Sequence, residues 1–272
     1  MKTKPGTIHS EPWAFKPRQP LAQDVWELYH VTDDFSLSRD LAAQNPDKLK
    51  EMQQLFLAEA KKYHVLPIDD RKVERFDAAQ AGRPDIMGKR TSLTVYEGMT
   101  GMMENAFINV KNRSHTITTE VEIPSGGGNG VLIAQGGRFG GWSLYMKGGR
   151  PVYVHNLVGR WHYTVASPQR ITPGKATIRY EFVYDGGGPG KGGMGTLSVN
   201  GTKVAAGRIE RTTPNVFNME GVDVDLGTPV TEDYRAHHNR FNGEIDKVTI
   251  DVSPSVSAPD PKAAEAKAAI EE

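Results

Sequence analysis

The chain has 272 residues, enough for two compact units that each carry a core. Its 33 basic and 33 acidic residues cancel, which removes any global electrostatic case for nucleic acid or an anionic membrane surface as partner. The absence of cysteine excludes disulfides, zinc–thiolate sites and thiol catalysis, and no apolar run approaches the ~20 residues of a membrane span. Met1-Lys2-Thr3-Lys4-Pro5-Gly6 begins with charge, but no apolar stretch follows it. The expected location is therefore cytoplasmic, or periplasmic if the natural start lies upstream. With 29 glycines and 17 prolines, many turns and a mainly β chain are expected.

Residues 1–75 are predicted to form a small α+β subdomain. In Lys4-Pro5-Gly6-Thr7-Ile8-His9-Ser10-Glu11-Pro12-Trp13, Pro5 removes a ladder donor and Gly6 weakens a strand. Read alone, the segment is a frayed basic N-terminus. Next comes Trp26-Glu27-Leu28-Tyr29-His30-Val31-Thr32-Asp33-Asp34-Phe35-Ser36, closed by Asp40-Leu41-Ala42. Trp26, Leu28, Tyr29 and Val31 predict a short strand with one buried face. Asn45-Pro46 then opens a helix, with Asn as the N-cap acceptor and Pro at the first helical position. Leu49, Met52, Leu55, Phe56, Ala60 and Tyr63 follow at three- and four-residue spacing and predict one apolar stripe, read as core. Val65-Leu66-Pro67-Ile68-Asp69-Asp70-Arg71 ends the helix. Asp33-Asp34 and Asp69-Asp70 are the only adjacent aspartate pairs. They read as turn and helix-flanking residues, because a hard cation needs six to eight oxygen ligands.

These segments resemble the large bacterial arylsulfatases, which are type I, formylglycine-dependent sulfatases. Trp26–Ala42 is similar to a W-E-L-Y…D-x-S…D-L-A segment near the C-terminal end of that family. Lys4–Trp13 is similar to its K-A-V-T-x-H-x-x-P-W strand, and Val65–Arg71 to the stretch after its helix. The resemblance implies that this chain is the C-terminal region or subunit of an arylsulfatase. Its expected partner is then an N-terminal catalytic polypeptide. Lys4 is implied to contact the sulfate in a complete active site, a role that suits a compact cation with three donors. The family's nucleophile is a formylglycine made in a C/S-x-P-x-R motif, beside a divalent cation. Here Ser10-Glu11-Pro12 and Ser257-Ala258-Pro259 are the only Ser-x-Pro sites, and neither has Arg two residues on. Calcium and formylglycine are thus implied for the complete enzyme. No cofactor, metal ligand or catalysis is expected of this chain alone.

Residues 76–103 read as a connector with turns at Gly82-Arg83-Pro84 and Tyr96-Glu97-Gly98-Met99. From 104 to 253 the pattern becomes that of strands. Ile117, Thr119, Val121 and Ile123 alternate with polar residues, as do Ile178, Tyr180, Phe182 and Tyr184. Gly130–Gln135 is a continuous apolar run that fits a strand buried on both faces. Gly148-Gly149 and Asn200-Gly201 predict hairpins, and Ile245, Val248, Ile250 and Val252 close the unit. Short strands separated by Gly/Pro turns predict an antiparallel β-sandwich. The order W-x-L-Y, F-x-Y, L-x-V-N-G and F-N-G-x-I-D-K-V-x-I resembles the concanavalin A/laminin G-like jelly rolls, some of which bind sugars or calcium and others of which are structural. Residues 254–272 are expected to be a flexible Pro/Ser/Ala-rich tail.

Sugar binding by such a sandwich needs exposed aromatic faces beside Asn, Asp or Arg. Trp142 and Tyr153 read first as core residues. Arg160, Trp161 and Tyr163, with Asn156, form the candidate ligand surface, because Arg160-Trp161-His162-Tyr163 reads as an exposed edge. His237-His238 reads as a solvated loop, since adjacent strand positions point opposite ways. The glycines from Gly186 to Gly193 read as a turn, because Gly190-Lys191 is followed by Gly192 rather than Ser or Thr. Three readings follow: a split or shortened arylsulfatase, an accessory module that forms homo-oligomers, and a module that binds sulfated carbohydrate.

Overall fold

The computed structural model describes residues 2–3, 21–66, 86–214, 217 and 220–253. The chain divides into two compact units, Met1–Ala81 and Gly82–Glu272.

In the first unit, β1 (Lys2–Thr3) pairs antiparallel with β2 (Trp26–Glu27). The strand expected to reach Val31 stops at Glu27 because the Leu28 N–H donates to Asp40 Oδ1 (3.0 Å) instead of to a ladder. The same oxygen accepts from the Ala42 N–H at 2.9 Å. Asp34 closes the turn between: its carboxylate accepts from the N–H groups of Ser38 (3.1 Å) and Arg39 (2.8 Å) and from both serine hydroxyls, Ser36 and Ser38. Those backbone donors hold its carboxyl down at about 2.

Helix α1 (Pro46–Lys62) follows, with Pro46 at its first position as expected. Asn45 does not cap it with its oxygen; its Nδ2 donates instead to the Leu41 carbonyl at 3.3 Å. The helix ends with His64 in the left-handed region (φ 55°), the Val65 N–H bonding to Ala60 O and the His64 N–H to Lys61 O. Ala60 is buried, Leu49, Met52 and Phe56 are half-buried, and Trp26 packs edge-on against Phe56 at 5.5 Å. Leu55 and Tyr63, expected in the stripe, are exposed. Leu55 sits about a quarter turn off the Leu49–Met52–Phe56–Ala60 line, at 100° per residue, and Tyr63 lies past the last turn. Among the described residues no helix is long and apolar enough to cross a membrane.

The second unit is a mainly antiparallel β-sandwich with little helix. Its strands are β3 (Ser92–Val95), β4 (His115–Ile123), β5 (Gly130–Gly137), β6 (Gly140–Lys147), β7 (Arg150–Leu157), β8 (Trp161–Ala166), β9 (Gly174–Tyr184), β10 (Lys191–Val199), β11 (Thr202–Arg211), β12 (Val222–Val224) and β13 (Glu244–Val252). One sheet has the order β11-β10-β9-β4-β13-β3 and the other β12-β5-β6-β7-β8. The predicted alternation places Ile117, Thr119, Val121 and Ile123 of β4 inside, with Ile178, Tyr180 and Phe182 of β9. They meet Trp142, Leu144 and Tyr153 of the facing sheet. The run in β5 is buried on both faces, because a second cluster of Val131, Ala134, Tyr145, Val152, Val154 and Val230 covers the outer side of that sheet. Gly148-Gly149 (φ 56° and 77°) and Asn200-Gly201 (49° and 79°) form the expected tight hairpins. One boundary differs: residues 92–95, read as connector, form the edge strand β3 on β13. Residues 254–272 lie outside the described residues.

The Asp34 network gives a direct expectation. Asp34→Ala removes the acceptor of the Ser38 and Arg39 amides, and both are expected to lose protection in amide hydrogen exchange while the sandwich amides keep theirs. Because the folded carboxyl is held low, its contribution is present above about 4 and is lost as pH falls through about 2.

Candidate functional site

The edge strand β8 begins at Trp161 directly opposite Leu157, after the loop Val158-Gly159-Arg160. Val158 (φ 51°) and Gly159 (φ 71°) are both left-handed, and a side chain at Gly159 would meet the Arg138 carbonyl at 3.0 Å. This loop therefore lies against the β5–β6 turn, Arg138-Phe139. Asn156 ties the two together: its Nδ2 reaches the carbonyls of Arg138 (2.9 Å), Val230 (2.9 Å) and Gly137 (3.3 Å), and its Oδ1 accepts from the Gly159 N–H (2.8 Å). It is fully buried. Asn156 is thus a scaffold residue and not part of a ligand surface, because every polar atom of its side chain is used on backbone.

The other predicted surface residues separate. Trp161, Tyr163 and Val165 share the inward face of β8. Val165 is buried and Tyr163 is half-buried against the core, so Tyr163 is a packing residue. Trp161 lies at the open end of the face and is 39% exposed. The Arg160 guanidinium lies over its ring at 4.6 Å, and that of Arg211, at the end of β11 in the other sheet, at 6.0 Å. Arg160 and Trp161 are both exposed where the loop enters β8. Arg211 was missed, since only the stacking of two sheet edges joins it to Trp161. Lys4 lies outside the described residues. Trp142 and Tyr153 are core, as read.

Between the sheets a cavity of ≈ 20 Å³ is lined by His115, Trp142, Tyr153, His155, Tyr180 and Thr213, among others. That is room for about one water and not for a sugar. The Thr213 N–H donates to His155 Nε2 (3.3 Å), which leaves the proton on Nδ1. His115 Nδ1 faces the Arg113 carbonyl at 3.3 Å, and its Nε2 has no partner. Burial pushes the His115 imidazolium down to about 4. Burial, with His115 beside it, pushes His155 to about 3. Nearby, the Lys111 ammonium pairs with Glu104, whose second oxygen accepts from the Phe217 N–H. These groups hold the core and Phe217 together.

A wider concavity, ≈ 630 Å³, lies outside the six-stranded sheet. Glu97, Glu120, Glu122, Glu244 and Asp246 line it with Lys175. Glu120 pairs with Lys247 at 3.1 Å, and Glu97 accepts from the Ile245 N–H. Among the described residues no three His, Asp or Glu converge well enough to hold a metal ion.

No protein-family model matches the chain, and no curated protein sequence matches it. Solved structures similar in fold include the CBM40 module of the Ruminococcus gnavus IT-sialidase bound to α2,3 sialyllactose. It is 17% identical over 59% of this chain and 93% of that one, with a TM-score of 0.41. Domains LG4-5 of the mouse laminin α1 chain match at 12% identity over 62% of this chain and 40% of that one, with a TM-score of 0.37.

Two measurements check this account. Stability of the sandwich is expected to fall as pH drops from about 6.5 towards about 4. There the unfolded histidines take up protons that folded His115 and His155 refuse, at up to ~1.4 kcal/mol per pH unit for each. Urea midpoints across that range check it, and His115→Gln with His155→Gln is expected to flatten the profile. Asn156→Ala leaves buried backbone groups unpaired at about 1–3 kcal/mol each, seen as a lower urea midpoint.

Proposed function

We propose that this chain is the non-catalytic C-terminal region of an arylsulfatase-type enzyme, its first unit seated on a catalytic polypeptide that carries the formylglycine and calcium. The reading rests on the Trp26–Ala42 segment and not on likeness of fold. The residues that make the segment resemble the family are the ones that organise the first unit. Asp34 and Asp40 each gather two backbone amides, and Trp26 packs on Phe56 of the helix. Such a motif serves architecture, which agrees with a role away from the chemistry. The same unit presents apolar side chains to solvent: Phe35 is 93% exposed and Leu55 52%, with Val31 and Tyr63 beyond half. Apolar side chains left in water suit an association surface where they adjoin, and the catalytic polypeptide is the occupant the resemblance names. In the joined enzyme Lys4 supplies the sulfate contact. The β-sandwich is an accessory unit of that enzyme.

The test is hydrolysis of a chromogenic aryl sulfate by an arylsulfatase truncated before its K-A-V-T strand, with and without this chain. Activity only in the mixture, lost on Lys4→Ala and reduced by Phe35→Ser with Leu55→Lys, is the expected result. A folded chain that neither binds the truncated enzyme nor restores hydrolysis contradicts the reading.

A further inference from the structure

The Asn200-Gly201 hairpin sets Val199 opposite Thr202 and Ser198 opposite Lys203. Continued without a break, that register would bring Lys191 opposite Glu210, an ion pair. It is broken by a bulge between Leu197 and Ser198, with Val204 as the extra residue, and Lys191 instead faces Arg211. Glu210 turns to Arg208 at 3.6 Å, and Arg208 is already held by both oxygens of Asp185. Like charges directly opposite in a sheet are destabilising. Arg160 adds a third cation, over the same indole as Arg211. Among the described residues no carboxylate forms an ion pair with Lys191, Arg211 or Arg160. The fold thus concentrates positive charge at one end of the sandwich, in a chain whose total charge is zero.

We propose that this end, where β8 meets β11, binds a sulfated saccharide. The indole face restrains the Arg160 guanidinium, so its N–H edge is presented at low entropic cost to an oxyanion, which a guanidinium takes bidentately. Arg211 and Lys191 complete the anion's surroundings. Beside them, Phe139 (74% exposed) and Val158 (59%) give the apolar surface that the C–H face of a sugar ring needs. The Val158-Gly159 loop holds them together, since a side chain at Gly159 would lie 3.8 Å from Phe139 Cα. The zero net charge favours a short anionic saccharide over nucleic acid, which calls for a broad basic surface. Binding at this end does not depend on docking of the first unit.

The probe is a heparin hexasaccharide, titrated calorimetrically into the full chain at low salt, against the desulfated hexasaccharide and a short single-stranded DNA. Saturable binding of the sulfated sugar alone, weakened at least tenfold by Arg160→Ala with Arg211→Ala, is the expected result. Arg211→Glu separates function from folding: it restores an opposite charge across from Lys191, so melting is expected at or above the wild-type temperature while binding is lost. Absence of binding by the wild-type chain, equal binding of the desulfated sugar or DNA, or undiminished binding by Arg211→Glu would each overturn the proposal.

Discussion

Tyr153 of β7 and Tyr180 of β9 stack with ring centroids 3.5 Å apart and planes 9° from parallel, and the second unit is arranged around that contact. It joins the two sheets near their middle. Trp142 extends the stack on one side, and His115 packs against Tyr180 and Phe182 on the other. Burial raises both phenols well above their usual range, so they remain neutral at any pH the protein meets. The histidines beside them are held neutral too, because burial penalises the imidazolium. A single aromatic layer thus fixes the spacing of the sheets and makes the interior intolerant of added charge. The cavity beside it has room for about one water.

The edges differ in character because of local chain geometry. At β8 the Val158-Gly159 loop, two left-handed residues in succession, leads Arg160 and Trp161 into the open end of the strand, while Asn156 clamps the base of the loop to two neighbouring segments. At β11 one extra residue, Val204, exchanges the partner of Lys191. Rigid hydrogen bonding under the surface and a register shift beside it gather cations that strand pairing would otherwise neutralise. The first unit follows another logic: aspartates replace ladder bonds, and its helix hides only part of its apolar side chains.

Much of the sandwich was legible because period-2 alternation and tight turns are local signals. The residues of β4 and β9 declared their buried face, and Gly148-Gly149 and Asn200-Gly201 their hairpins, without reference to anything distant. What was not legible depended on contacts remote in sequence. Strand β3 has too few apolar residues to announce itself and exists by pairing with β13, some 150 positions on. Asn156 reads as a polar edge residue until Val230 and Arg138 arrive at its amide. Arg160 and Trp161 were readable as an exposed dipeptide. Arg211 was not, since it meets Trp161 only through stacked sheet edges, after a bulge that the hairpin signal does not predict. In the first unit Leu55 fitted the three- and four-residue spacing but lies at the margin of the stripe.

In the function proposed above, the first unit is one side of an enzyme interface. Amide hydrogen exchange on the chain, alone and mixed with an arylsulfatase catalytic polypeptide that lacks its own C-terminal region, tests it most directly. The account predicts new protection across residues 31–39 and along the Leu55 and Tyr63 face of α1, with the sandwich amides unchanged. Identical exchange in both samples, at concentrations where the polypeptides would meet, would contradict it.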